Sequence, residues 1–255
     1  MTLFADYPAA RIADGPHHLA PGSPDAAPFL RAAQLGDGWL HPEGSNYTFV
    51  VALRSDERAG YGVYKPQRGE APLEDFPPGT LYRRECAAWE LSTLLGWGLV
   101  PPTVEREGDA GVGSLQLFVP SAGESNYFTL REAHPERART LAAFDVLANN
   151  ADRKGGHVFV GADGGVWAID NGLTFHAGHK LRTVVWDFAG EPVPPGLLAD
   201  VERALAGLDG EPGAPLRALL APDEVAALAE RMAGLLAAPV LPTPRTRRDL
   251  PWPWL

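Results

Sequence analysis

Cysteine is nearly absent from this chain. Cys86 stands alone, so no intramolecular disulfide can form and no four-thiolate metal site can be built. That usage suits a reducing cytoplasm, the expected location. Positive charge is also scarce: 22 Lys plus Arg against 32 Asp plus Glu leave a formal net charge of -10. This balance opposes binding to phosphate backbones and to anionic membrane surfaces, so nucleic acid is not an expected partner. One basic cluster, Arg245, Arg247 and Arg248 in the tail Thr243–Leu250, is either solvated decoration or a local anion site. No uninterrupted apolar run approaches the ~18 residues that span a bilayer, and the opening MTLFADYPAARIAD has no basic stretch feeding an apolar one. The expectation is a soluble chain that neither is exported nor enters a membrane. A fixed repeat is missing too, because the 25 prolines and 28 glycines scatter through turns. What is present is a 45% hydrophobic composition over 255 residues, enough to bury a core as one large domain or two small lobes.

Residues 1–25 are rich in Ala, Pro, Gly and His without a sustained apolar period, and the expected extension reaches residue 37. Tyr47–Leu53 and Tyr61–Lys65 are β-branched and aromatic runs around the turn Arg54–Gly60, a hairpin signal. Gln67–Gly79 reads as a loop, and Leu81–Leu95 has apolar residues at helical spacing, stopped by Gly96 and Gly98. Val100–Glu105 and Ser114–Val119 read as two further strands around a glycine turn. A second helix is predicted over Pro135–Leu147, then short strands at His157–Val160 and Val166–Ile169, then helical, alanine-rich sequence over Leu197–Ala238. The pattern is an α+β chain in which a small sheet-rich half precedes a mostly helical half.

The densest polar cluster flanks the short hairpin. Asn150-Ala-Asp152-Arg153-Lys154 enters it and Ile169-Asp170-Asn171-Gly172 leaves it. A tight hairpin returns the chain to its starting side, which lets Asp152 and Asp170 face one cavity. Phosphoryl transfer needs that pairing: one carboxylate coordinates the magnesium that bridges the phosphates, while another positions the incoming hydroxyl. Read singly, Asp-Asn-Gly is a turn. Apolar Trp167-Ala-Ile169 runs directly into Asp170, however, and a carboxylate ending a buried strand needs compensation, for which a metal serves. Lys65 ends an apolar strand and calls for an anionic partner. Glu85 on the following helix is the natural one, the alternative being a surface ion pair.

The ordered set GSNYTFV, VYKPQRGE, RREC, VPPT, GSLQLFV, NNADRKGG and IDNGLTF resembles the phosphoinositide 3-/4-kinase-like superfamily, nearest to type II phosphatidylinositol 4-kinases. The resemblance spans Gly44–His179. It implies a bilobal protein-kinase-like fold, with a sheet-rich N-lobe at residues 38–120 and a mainly helical C-lobe at 121–255. By the same resemblance Gly44, Ser45 and Asn46 approach the β-phosphate of ATP, and Lys65 binds the α- and β-phosphates. Glu85 holds Lys65, Gln116 to Val119 flank the adenine, Asp152 is the catalytic aspartate and Asp170 binds the metal. Arg153 and Lys154 either neutralise the transferring phosphoryl group or lie in solvent. Asn150 braces the catalytic turn through its side chain. One position departs from the pattern. Five residues after the catalytic aspartate, where such kinases place a metal-binding asparagine, stands His157. Imidazole is a ligand that manganese accepts more readily than magnesium, so Mg or Mn is the expected ion, with His157 either a ligand or a packed side chain. His176 and His179 suggest zinc only if further ligands join them.

The function these features imply is an ATP-dependent kinase acting on a hydroxyl of a protein, a small molecule or a phosphoinositide head group. The alternative is a pseudokinase, a nucleotide-binding signalling module that transfers no phosphate.

Overall fold

The computed structural model describes residues 19–41 and 46–255. It is an α+β protein that divides into two compact units. One comprises the chain through Tyr82 with Pro101–Glu124 and Val160–Gly165, and the other Arg83–Val100, Ser125–Phe159 and Val166–Leu255.

The first unit is built on a five-stranded antiparallel sheet of order β1-β2-β3-β5-β4. Its strands are β1 (Gln34–Leu40), β2 (Phe49–Arg54), β3 (Ala59–Pro66), β4 (Thr103–Gly108) and β5 (Gly111–Leu117). The predicted hairpin is the β2–β3 pair, in register from Phe49 opposite Tyr64 to Arg54 opposite Ala59. Helix α1 (Ala26–Ala32) lies against β4 and β5 and buries Ala26, Ala27, Phe29 and Leu30. Residues 26–37 therefore belong to the packed sheet unit, where the sequence suggested an extension. Strand β1 escaped detection for a physical reason. It is an edge strand, exposed over nearly its whole length, broken by a bulge between Leu35 and Gly38. Backbone pairing forms it, with no buried alternation to announce it.

Register sorts the sheet's side chains. Lys65 pairs with Ser114 and Val63 with Gln116, so these four share a face, while Tyr64 and Leu115 point to the other with α1. A Cβ at Gly113 would lie 2.4 Å from the Lys65 carbonyl oxygen. Glycine is therefore what lets β5 approach β3 beside Lys65.

The second unit is mainly helical. From Arg83 onward it contains α2 (Leu81–Leu95), then α3 (Tyr127–Leu130), α4 (Pro135–Ala148), α5 (Pro195–Gly207), α6 (Ala214–Leu219) and α7 (Pro222–Ala237). Strands β6 (Val158–Val160) and β7 (Val166–Ala168) form the short hairpin. Leu141, Phe144 and Leu147 of α4, Val201 of α5, and Leu228 and Met232 of α7 are fully buried, and α7 packs on both α4 and α5. Removing a side chain such as Phe144 from water stabilises the fold by about 1.5–3 kcal/mol. Proline opens α4 at its first position, where no N–H is needed, and Asn149 closes it in the left-handed region at φ 50°. That reversal turns the chain directly into the Asn150–Lys154 loop. Among the described residues no helix is long and apolar enough to cross a membrane.

Candidate active site

Asn149 and Asn150 set the loop. The Asn149 amide donates to the carbonyls of His176 and Gly178, both at 2.8 Å, and its oxygen accepts the Lys180 N–H at 2.9 Å. Asn150 Oδ1 accepts the Asp152 N–H at 3.0 Å, the side-chain brace expected of it. Backbone bonds from Ala151 N–H to Leu173 O and from Arg182 N–H to Asn150 O, both 2.8 Å, tie this loop to the chain that follows β7.

Asp152, Arg153 and Lys154 then diverge. Arg153 and its partner Asp145 are wholly buried, with Arg153 Nε 3.1 Å from Asp145 Oδ1. The remaining guanidinium nitrogens donate to Ile169 O at 2.8 Å and to Asn171 Oδ1 at 2.6 Å, and Thr183 Oγ1 donates to Asp145 at 2.9 Å. Burial pushes the Asp145 carboxyl up, while Arg153 and the Thr183 hydroxyl pull it back. The solvent reading of Arg153 is corrected here: the side chain is fully buried and its guanidinium is engaged by Asp145, Ile169 and Asn171. It bolts the Asn150–Lys154 loop to the Ile169–Asn171 strand exit. Asp152, in contrast, keeps 29% of its side chain exposed, and Lys154 Nζ reaches Asp152 Oδ2 at 3.1 Å. Burial raises the Asp152 carboxyl above its ordinary range. Lys154 lowers it, Asp170 raises it and Arg182 lowers it. Asp170, at the exit of the same hairpin, is thus among the charges that act on Asp152.

Asp170 is not the buried charge expected. Trp167 and Ala168 are buried, but the chain turns at Asp170 with φ 57° and leaves 53% of the carboxylate side chain exposed. Burial cost therefore gives no reason for a metal there, whereas position does. Ile169 N–H donates to His157 O at 2.9 Å, closing the base of the hairpin, and His157 Nε2 lies 3.3 Å from Asp170 Oδ2. Among the described residues, no three His, Cys, Asp or Glu side chains gather to hold an ion. The oxygen donors fit magnesium all the same, because that ion takes one or two carboxylates and completes its octahedron with water and phosphate oxygens.

Glu85 is buried, and its Oε2 accepts the Asn171 N–H at 2.9 Å, so this helix glutamate reads the residue after Asp170. Its neighbour Arg84 is buried as well, donating to Thr174 O at 2.7 Å and pairing with Glu224 of α7. His176 Nδ1 accepts the Gly178 N–H at 2.9 Å. In the sheet unit, Lys65 is half-buried on β3. Gln116 is buried with its amide donating to Thr103 Oγ1 at 2.9 Å, and Val119 is buried just past the end of β5. The Asn46 oxygen accepts the Ala71 N–H at 2.7 Å, bracing the Gln67–Gly79 loop. Gly44 and Ser45 lie outside the described residues.

The tail holds a contact that composition did not reveal. Gly155 N–H, directly after Lys154, donates to Trp254 O at 2.6 Å, and Thr183 N–H donates to Asp249 O at 3.0 Å. Gly155 also sits against Phe128 and Leu255, where a Cβ would lie 2.6 Å from the Phe128 ring. The tail arginines are exposed, as solvated decoration would be, yet the segment carrying them is anchored at Gly155 and Thr183. Backbone carbonyls make the contact, and residue type gives no warning of it.

The site thus defines an α+β protein whose helical unit carries two neighbouring carboxylates on loops joined by a buried arginine. No family model matches the chain. It is 40% identical over 265 residues to Protein Rv2133c of Mycobacterium tuberculosis (strain ATCC 25618 / H37Rv), with 87% of this chain and 94% of that protein covered. The chain belongs to the family of that mycobacterial protein. A solved structure, that of the Helicobacter pylori proinflammatory kinase CtkA, matches 83% of this chain and 94% of that chain at 11% identity and a TM-score of 0.49, too weak a likeness to bear on fold or activity.

Proposed function

We propose that this protein is an ATP-dependent phosphotransferase of the phosphoinositide-kinase-like type that acts on a hydroxyl acceptor. The observation that carries the reading is the placement of Asp152 and Asp170 at the two feet of one short hairpin, where Asp170 is among the charges that raise the Asp152 carboxyl. Asp152 orients the acceptor hydroxyl and takes its proton, and burial keeps the carboxyl more basic than a free one. Lys154, 3.1 Å from Asp152, tempers that basicity and supplies positive charge at the transfer site. Asp170 holds magnesium or manganese. When bound, the ion neutralises charge on the phosphates. Lys65 binds the phosphates, assisted by Gly44, Ser45 and Asn46. The backbone of Gln116 to Val119 flanks the adenine, since the Gln116 amide is committed to Thr103. Glu85 and Arg153 hold the Asp170–Asn171 turn from opposite sides as positioning residues. The acceptor is a cytoplasmic protein, a small molecule or a lipid head group.

The test is nucleotide turnover by purified protein with magnesium or manganese, read beside a thermal shift. ATP plus metal at about 100 times its dissociation constant adds ~2.7 kcal/mol of stability. Absence of any shift removes nucleotide from the function. A shift without turnover under either metal favours the pseudokinase, a reading motivated by the ion pair that already engages Asp152.

A further inference from the structure

We propose that His157 is not a ligand of the nucleotide's metal but the hydrogen-bond donor that holds Asp170 in place, leaving the other carboxylate oxygen to face the ion; this rests on the kinase reading of Asp170. The short helical turn Gly155–His157 folds the His157 side chain back onto its own start, where Nδ1 accepts the Lys154 backbone N–H at 3.4 Å. A ring nitrogen that accepts an N–H carries no proton of its own. In the neutral ring the proton is therefore on Nε2, and a protonated Nε2 has no lone pair to offer a cation. That same Nε2 stands 3.3 Å from Asp170 Oδ2. The arrangement matches the partner shell that orients a ligating carboxylate, not the ligand shell itself.

Asp170 is the residue this donor acts on. It occupies the left-handed region at φ 57°, and its side chain is more than half exposed. An exposed carboxylate loses rotamer freedom when it ligates, and a fixed donor on one oxygen lowers that cost in advance. His157 is itself anchored, because its carbonyl accepts Ile169 N–H at 2.9 Å and its ring is mostly covered. The His157 ring thereby spans from the Gly155–His157 turn to the proposed metal-binding aspartate. Oxygen ligands alone then face the ion, so the site keeps the hard-cation preference of magnesium despite the imidazole beside it.

Two measurements test this independently. The first needs no metal or nucleotide: long-range nitrogen–proton correlation spectra of histidine-labelled protein above pH 8, with His157 assigned by its loss in His157→Gln. A proton on Nε2 is expected, and a proton on Nδ1 overturns the proposal while leaving the kinase reading standing. The second is pulsed electron paramagnetic resonance of Mn2+ bound with ATP. No directly bonded nitrogen coupling from the protein is expected, while His157→Ala weakens the Mn2+–ATP affinity by about 10–100-fold and His157→Gln, which retains an N–H donor, recovers part of it. A bonded histidine nitrogen signal that vanishes in His157→Ala overturns the proposal, as does unchanged affinity in that variant. Failure of Mn2+–ATP to bind at all sinks the kinase reading and the metal role of Asp170 with it.

Discussion

Asp152 and Arg153 are adjacent in the chain yet belong to different parts of the molecule. Arg153 is sealed among Asp145, Asn171 and Ile169 with none of its side chain exposed, while Asp152 and Lys154 on either side reach partly into solvent. The contrast separates two duties that one loop must perform. A buried ion pair is costly to desolvate and contributes modest net stability, but removing one partner leaves the other charge stranded. Such a pair gives the loop one permitted geometry. Asp152 and Asp170, partly exposed, keep access to solvent beside that fixed frame.

Substitutions at neighbouring positions should break this contrast in opposite ways. Asp152→Asn should lower turnover by on the order of 10²–10⁴ while leaving the melting temperature and nucleotide affinity nearly unchanged, measured by steady-state kinetics and calorimetry. A comparable loss of stability in that variant would erase the distinction. Next in size, Arg153→Ala should destabilise the fold by about 3–5 kcal/mol, read from chemical denaturation, because Asp145 is left charged in a dry interior. Stability retained in Arg153→Ala would mean that the bolt is not structural.

A finer probe is pH. With Asp152 acting as the carboxylate, as proposed, activity should fall as pH drops through its folded pKa. Burial sets that acidic limb above the ordinary aspartate value of about 3.9. Lys154 favours the ionised form, hence Lys154→Ala should move the limb to still higher pH. A limb shifted downward contradicts the pairing. At the small end, Arg245→Gln, Arg247→Gln and Arg248→Gln should each change stability by no more than ~0.5 kcal/mol, since these side chains are exposed. Trp254→Pro is a sharper variant of the same segment. It leaves the carbonyl chemistry but alters the backbone that meets Gly155, and should lower turnover more than any of the arginine changes.

Periodic segments were legible from sequence to within a few residues. Leu81–Leu95 is the predicted helix end to end, and Pro135–Ala148 extends its prediction by one residue. Both are buried along much of their length, mostly through apolar residues, and both carry terminators that local chemistry dictates. Strand β1 and helix α1 were missed because one exposes its side chains and the other is too short for a period to register. At the site, Asp152 and Asp170 could be paired from the hairpin alone. The exposure of Asp170, the burial of Arg153 and the anchoring of the tail on Gly155 could not, since each depends on partners far along the chain.

What the amino-acid order determined by itself is local: which segments repeat with helical or strand period, where turns reverse the chain, and hence that two acidic loops meet at one hairpin. Tertiary packing alone decided which of three consecutive polar residues is taken out of water. Burial is a property of the surrounding density of atoms, and a charged side chain enters that density only where a remote carboxylate, amide and carbonyl already wait to receive it.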